Sequence, residues 1–415
     1  MTAHPQSIDS ALALDASDPL AGFRARFAIP DGLIYLDGNS LGMLPRHAPE
    51  RVRAVVEEEW GRQLIRGWTA AGWITLPRRV GARIAALIGA DEDEVVCADS
   101  TSVNLFKVLS AALALRPERR KIVSTADNFP TDLYIAQGLT TLLADGHTLA
   151  TPPADALLDA IDDDTAAMLL THVNFKSGLL FDMATITAAA HARGALIIWD
   201  LAHSAGALPV DLRSADADFA IGCGYKYLNG GPGAPAFVYA ARRHHNRATQ
   251  PLTGWLGHAD PFAFSSAYEP ARGIDQFVCG TPPVLSLAAL ECGVELMQAA
   301  GLDAIRAKSM ALTDLFIARV EARCDGHGLT LISPRDAARR GSQVSFAHPD
   351  GYAIMQALIA DGVIGDFRAP DIMRFGFAPL YNSYADVWRA ADALADVLAT
   401  RRWDRPEFKT RKAVT

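Results

Sequence analysis

Between residues 121 and 239, short and almost uncharged apolar runs alternate with longer amphipathic stretches, and this alternation leaves the chain few possible folds. Residues 121–124, 166–171, 196–199, 218–222 and 236–239 read as strands, while 131–143 and 184–193 read as helices. Strands that are apolar on both faces need cover on both faces, which means a mostly parallel sheet flanked by helices. Such sheets bind ligands beyond the carboxyl ends of their strands. Thr171, Asp200 and Lys226 all fall there.

The remainder has a different texture. Helical runs at 284–300 and 302–323 lead to a strand at 343–346, a helix at 352–360, a strand at 373–377 and a last helix at 383–400. A chain of 415 residues is too long for one compact core. The expected division is an N-terminal segment, 1–60, packing with the small domain; a large α/β domain, 61–290; and a smaller α+β C-terminal domain, 291–415. The basic tail, 401–412, reads as a frayed end.

A formal charge of −8 argues against a nucleic-acid partner over most of the surface. The five cysteines form no CxxC pair, which fits reduced thiols, no disulfide framework and no metal site. No run approaches a membrane span, and the first 18 residues lack the apolar core of a secretory signal. A cytoplasmic protein with no membrane partner is expected.

The chemistry concentrates around Asp200 and Lys226. Asp200 ends an uncharged strand, and a carboxylate there is costly unless paired. Lys226 follows the next strand and precedes Gly230-Gly231-Pro232-Gly233. An acid to keep a pyridine nitrogen protonated and an amine to bind an aldehyde are what pyridoxal 5′-phosphate requires. A surface lysine at a strand end is the bland alternative, and the pairing with Asp200 weighs against it. His203 suits stacking on the ring or a bond near the phosphate, or is a helix-start histidine.

The phosphate needs donors at a helix N-terminus, and Thr101 and Ser102 precede a helical run over 105–115. An ordinary Ser/Thr helix cap explains that segment equally well. Tyr225 is placed to donate to the phosphate from the far side. Phe129 is placed to stack on the cofactor ring and Asp132 to accept a hydrogen bond near its hydroxyl, although an Asp/Pro turn has the same pattern. Arg374, a lone cation between apolar neighbours, suits the carboxylate of an amino-acid substrate in a bidentate pair.

Five segments, in order and at matching spacing, resemble the kynureninase family from about residue 30 to 400. They are Leu36-Asp37-Gly38-Asn39-Ser40-Leu41-Gly42, Phe129-Pro130-Thr131-Asp132, Trp199-Asp200-Leu201-Ala202-His203-Ser204-Ala205-Gly206, the run from Cys223 to Gly233, and Pro379-Leu380-Tyr381-Asn382-Ser383. The resemblance implies an α/β fold of the aspartate-aminotransferase type (fold type I) with a mostly parallel seven-stranded-type sheet. It also implies a homodimer with active sites at the interface, and hydrolysis of L-kynurenine to anthranilate and L-alanine in tryptophan catabolism. By resemblance Lys226, Asp200 and Tyr225 are catalytic. Thr101, Ser102, Phe129, Pro130, Thr131, Asp132, Thr171, His203, Trp255 and Thr281 are cofactor contacts, with Trp255 reaching the phosphate site of the second subunit. Ser40, Trp68, Thr281 and Arg374 are substrate contacts. Thr281 stands where animal members have Asn, and Trp68 where they have a histidine. Both changes remove polar contacts to a ring hydroxyl, so kynurenine is expected to be preferred to 3-hydroxykynurenine. The alternatives are a cysteine desulfurase-like or aminotransferase reaction on the same fold. A nucleotide-binding module is disfavoured by the absence of a phosphate-loop motif.

Overall fold

The structure is a computed structural model and describes residues 5–411. The chain divides into two compact units. The larger comprises His47–Asn174 and Phe181–Gln298; the other takes the chain up to Arg46, Phe175–Leu180 and the chain from Ala299 onward.

The larger unit is built on a seven-stranded sheet. Its strands are β1 (Val95–Cys97), β2 (Lys121–Val123), β3 (Thr148–Ala150), β4 (Thr165–Thr171), β5 (Leu196–Asp200), β6 (Phe219–Gly222) and β7 (Phe237–Ala240). They lie in the order β1-β7-β6-β5-β4-β2-β3, and only β7 runs against the rest. Strands β4 to β7 are buried along their whole length, as uncharged runs covered on both faces must be. The three-residue strands β1 and β3 are not among the strands read from the sequence.

Side chains alternate between faces along β5. Leu196 and Ile198 join a core with Leu105, Val108 and Leu109 of helix α1 (Thr101–Ala114) and with Ala136 and Leu139 of α2 (Pro130–Leu143). Trp199 faces the other way and donates to Thr187 of α3 (Met183–Ala192) at 3.1 Å. The period of two therefore puts Asp200 on the α1/α2 face. Thr171, Asp200 and Ile221 are register partners across β4, β5 and β6, so the site's edge of the sheet is level.

The other unit carries a four-stranded antiparallel sheet in the order Asp366–Arg368, Ile372–Gly376, Gln343–Ala347, Thr330–Leu331. Ile34–Tyr35 pairs in parallel with Val363–Ile364. Its core holds Phe316, Phe346, Phe375 and Phe377, with helices Leu302–Arg323, Gly351–Ala360 and Tyr384–Thr400. The tail is not frayed over its described residues. Arg402–Asp404 and Pro406–Lys409 are helical, Trp403 is buried, and Thr410 accepts a hydrogen bond from Tyr352 Oη at 3.1 Å. The aromatic side chain of Trp403 gives this charged stretch an apolar anchor; Lys412 lies outside the described residues. Among the described residues no single helix is long and apolar enough to cross a membrane.

Candidate active site

Asp200 closes β5 and is buried, and its Oδ1 accepts the Ala202 N–H at 2.8 Å. Burial pushes its pKa up; Lys226 and that single backbone bond pull the other way and do not win. Asp132, in the first turn of α2, is buried beside it. Burial and then the Asp200 charge hold the Asp132 carboxyl well above the usual range, against the pull of Lys226 and of a bond from Asn128. Two carboxyls and one amine thus lie within electrostatic reach of one another at the sheet edge. Shifted, buried groups clustered in this way mark a functional site.

Lys226 is buried, with Nζ 5.7 Å from the Phe129 ring centroid and 5.8 Å from that of Tyr225. Gly224, two residues earlier, lets the chain pass close to Pro235, since a Cβ there would lie 2.4 Å from the Pro235 carbonyl oxygen. The chain then turns through Asn229, Gly231 and Gly233, all at positive φ. Burial pushes the Tyr225 phenol up, so it stays protonated. His203 is buried two positions past the Asp200–Leu201 corner, and Thr171 is buried at the end of β4.

The helix expected over 105–115 begins earlier, at Thr101, with Ser100 as its cap accepting the Val103 N–H at 3.3 Å. Thr101 and Ser102 therefore lie within the first turn, where amide N–H groups point out of the helix end and favour an anion. Buried Lys107 ties Asp99, just before this turn, to the Phe277 carbonyl. Pro130 and Thr131 occupy the equivalent first turn of α2.

Trp68 and Trp255 meet edge to face at 6.3 Å, in a row that continues to Trp73 on one side and to Phe262 and Phe264 on the other. Thr281 is exposed and no hydrogen bond ties it to the residues above. Cys223 is the thiol nearest Lys226 in sequence, and burial pushes its pKa up. A protonated, buried thiol is a poor nucleophile, which weighs against desulfurase chemistry.

In the other unit Arg374 is buried, as its apolar neighbours implied, but its two-pronged carboxylate partner is within the chain. Nε and Nη2 both bond Asp366, Nη1 donates to the Phe175 carbonyl at 2.7 Å, and Nη2 to Ser40 Oγ at 3.2 Å. Ser40 in turn donates to Asp366 at 2.7 Å. So Ser40 and Arg374 are brought together by an acid that the sequence reading missed. Asp366 and Arg374 are register partners on antiparallel strands, which no local pattern announces. Asn128 is the other missed residue, hidden in a segment that reads as a turn.

Residues 305–394 match the family described as "Kynureninase C-terminal domain". A kynureninase of Pseudomonas fluorescens is 55% identical over 409 residues, covering 97% of this chain and 98% of that relative. One from Burkholderia mallei (strain ATCC 23344) is 55% identical over 413 residues, covering 98% and 99%. This chain belongs to the kynureninase family. Its members are pyridoxal 5′-phosphate-dependent hydrolases that cleave kynurenine. Solved structures agree on the fold at far lower identity. An apo cysteine desulfurase from Thermococcus onnurineus NA1 has a TM-score of 0.76 at 20% identity over 91% of this chain and 98% of its own. A C-DES mutant with glycine covalently linked to its PLP cofactor has 0.77 at 19%, over 90% and 99%.

The residues present fit that cofactor. Asp200 has a raised pKa that a pyridinium N–H would lower, Lys226 is the buried amine beside it, and the α1 turn is a ready anion site.

Proposed function

We propose that the chain hydrolyses L-kynurenine to anthranilate and L-alanine, prefers kynurenine to 3-hydroxykynurenine, and serves tryptophan catabolism as a cytoplasmic homodimer. The observation that carries the activity is the meeting of Lys226, Asp200 and Asp132 in a chain 55% identical to kynureninases over nearly its full length.

When bound, the cofactor supplies an electron sink for bonds at the substrate's α and β carbons. Asp200 would keep the ring nitrogen charged. Lys226 would hold the aldehyde and serve as the base for the α-proton. Phe129 would lie against the ring and Asp132 would accept near its hydroxyl. Thr101, Ser102, His203 and Tyr225 would hold the phosphate, with Pro130, Thr131, Thr171 and Thr281 completing the surround and Trp255 closing it from the second subunit. Arg374 is the cation for the α-carboxylate, with Ser40 at its side and Asp366 orienting its guanidinium, and Trp68 is the aromatic for the aniline ring. Water adds to the γ-carbonyl before the Cβ–Cγ bond breaks. Tyr225, kept protonated by burial, is the acid for the three-carbon fragment.

Exposed Trp60, Ile65, Phe262 and Phe264, the last two in contact with each other, support a homodimer, since exposed apolar surface of this kind marks an interface. Light scattering tests it: a monomer at micromolar concentration sinks that part. Anthranilate fluorescence with L-kynurenine and a parallel assay with 3-hydroxykynurenine test the rest. A higher kcat/KM for kynurenine is expected, with Thr281→Asn shifting the ratio toward the hydroxylated substrate. No anthranilate release overturns the activity, and equal kcat/KM values overturn the preference.

A further inference from the structure

Asn128 stands in the turn between β2 and α2, buried, and touches both ends of the arrangement that faces Lys226. Strand β2 pairs with β4 only as far as Val123 opposite Met168, three residues short of the end of β4. The Asn128 side chain takes over this place in the ladder: its Oδ1 accepts the Thr171 N–H at 2.9 Å. A backbone N–H only donates, so the side-chain atom facing it must be the oxygen. The amide cannot flip without losing that bond, and its NH₂ is thereby aimed at Asp132, with Nδ2 3.3 Å from Oδ2. A second amide closes the same joint in the opposite sense. Asn174, just beyond β4, donates from Nδ2 to Asp127 Oδ2 at 2.8 Å and to the Asp127 carbonyl at 3.2 Å. The loop carrying Phe129 and Asp132 is thus clasped to the end of β4 at two points.

We propose that Asn128 is a positioning residue of the cofactor site, which fixes the orientation of the Asp132 carboxyl while its other end is locked into the sheet. The inference rests on the reading that Asp132 touches the cofactor. Asp132 has several electrostatic neighbours of unequal use for this purpose. Asp200 repels its charge, Lys226 is claimed by the cofactor once that binds, and Asn128 is the remaining group that favours the ionised carboxyl. With Oδ2 held by Asn128, Oδ1 is the oxygen presented to a ligand. An unheld carboxyl would rotate and offer either atom.

The test separates the two ends of the asparagine. Asn128→Asp keeps an oxygen for the Thr171 amide, but replaces the donor to Asp132 with a second carboxyl. The cofactor-free protein is titrated with pyridoxal 5′-phosphate by fluorescence quenching, and the pH midpoint of the bound cofactor's visible absorption is recorded. Asn128→Asp and Asp132→Asn should each weaken cofactor binding by about ten-fold or more, the size expected for a bond to a charged group, and shift the midpoint. A thermodynamic cycle covers the case in which Asn128→Asp fails to fold. Asn128→Ala should cost affinity in the native background and much less in the Asp132→Asn background. A loss of the same size in both backgrounds means a merely structural asparagine and overturns the proposal. So does native binding by Asn128→Asp when Asp132→Asn is impaired. Native binding and spectrum in Asp132→Asn overturn the proposal together with the reading beneath it.

Discussion

Asp200 and Asp218 are both buried aspartates beside the same pair of parallel strands, yet they sit at opposite ends and in opposite electrostatic states. Asp218, just before β6, is surrounded by donors. His191 and His244 approach it at 2.8 and 2.7 Å, Arg243 at 2.8 Å, and the Ile197 N–H at 2.9 Å. Burial works to raise its pKa, but the bonds from His191, His244 and Ile197 outweigh it and hold the carboxyl far below its usual range. Asp200 has one backbone N–H and a lysine, and burial wins. A carboxylate saturated by its own chain serves the fold. One left short of partners at the carboxyl edge of a sheet is waiting for a ligand.

The other unit repeats the contrast within one cluster. Asp366 is held down by Arg374, Arg368 and Ser40 although burial opposes them. Neighbouring Asp37 is pushed up to about 7, by burial first and by the Asp366 charge second.

The sharpest way to break the comparison is to neutralise Asp200. Asp200→Asn should lower the rate of anthranilate release by at least about 100-fold, as for a lost preorganised charge, and Lys226→Ala should abolish it. The cofactor-free Asp200→Asn protein should melt no lower than the native one, because an unsatisfied charge has been removed. A clear drop in its thermal midpoint would mean that Asp200 is structural after all.

Asp218→Asn should do the reverse. It should cost about 3 kcal/mol in urea unfolding at neutral pH, as when one partner of a buried ionic network is removed, while activity per folded molecule is kept. The pH dependence has a definite sign. The folded pKa of Asp218 lies below the unfolded one, so its stabilisation is present above 3.8 and lost as pH falls toward the folded value. His191 is raised, first by its bond to Asp218, so its share is present below 6.5 and lost as pH climbs through its folded value. Both limbs should flatten in the variant.

Asp366→Asn should raise KM for kynurenine by about ten-fold with a smaller change in kcat, since a charged two-pronged bond positions Arg374. An equal fall in kcat would place the cluster in the chemistry instead. The smallest effect belongs to Asp37. Its raised pKa means that the folded state holds a proton the unfolded state has released, so between 3.8 and about 7 stability falls with rising pH. Asp37→Asn should remove that decline, and calorimetry at pH 5 and pH 8 would show it.

What could be read ahead of the structure was whatever repeats locally. The uncharged runs that became β4 to β7 placed Thr171, Asp200 and Lys226 at one edge, because strand periodicity and the burial of parallel sheets act over a few residues. The helix after β1 and the turn before Pro130 were legible for the same reason, but the helix start was not: it lies at Thr101, four residues ahead of the apolar pattern, because the opening turn is polar.

What no local pattern carried were the partners. Asn128 and Thr171 are 43 positions apart, and their bond exists because β2 stops short of β4's end. Arg374 could be seen to need a carboxylate, but Asp366 supplies it across an antiparallel register that the three residues between the strands set. Trp68 and Trp255 share an aromatic row that only the folded chain brings together. Residue type and spacing thus determined which groups would be buried and short of partners. The tertiary structure decided which of them their own chain would satisfy, because a buried charge is settled by whatever lies within a few ångströms in space, however far away in sequence.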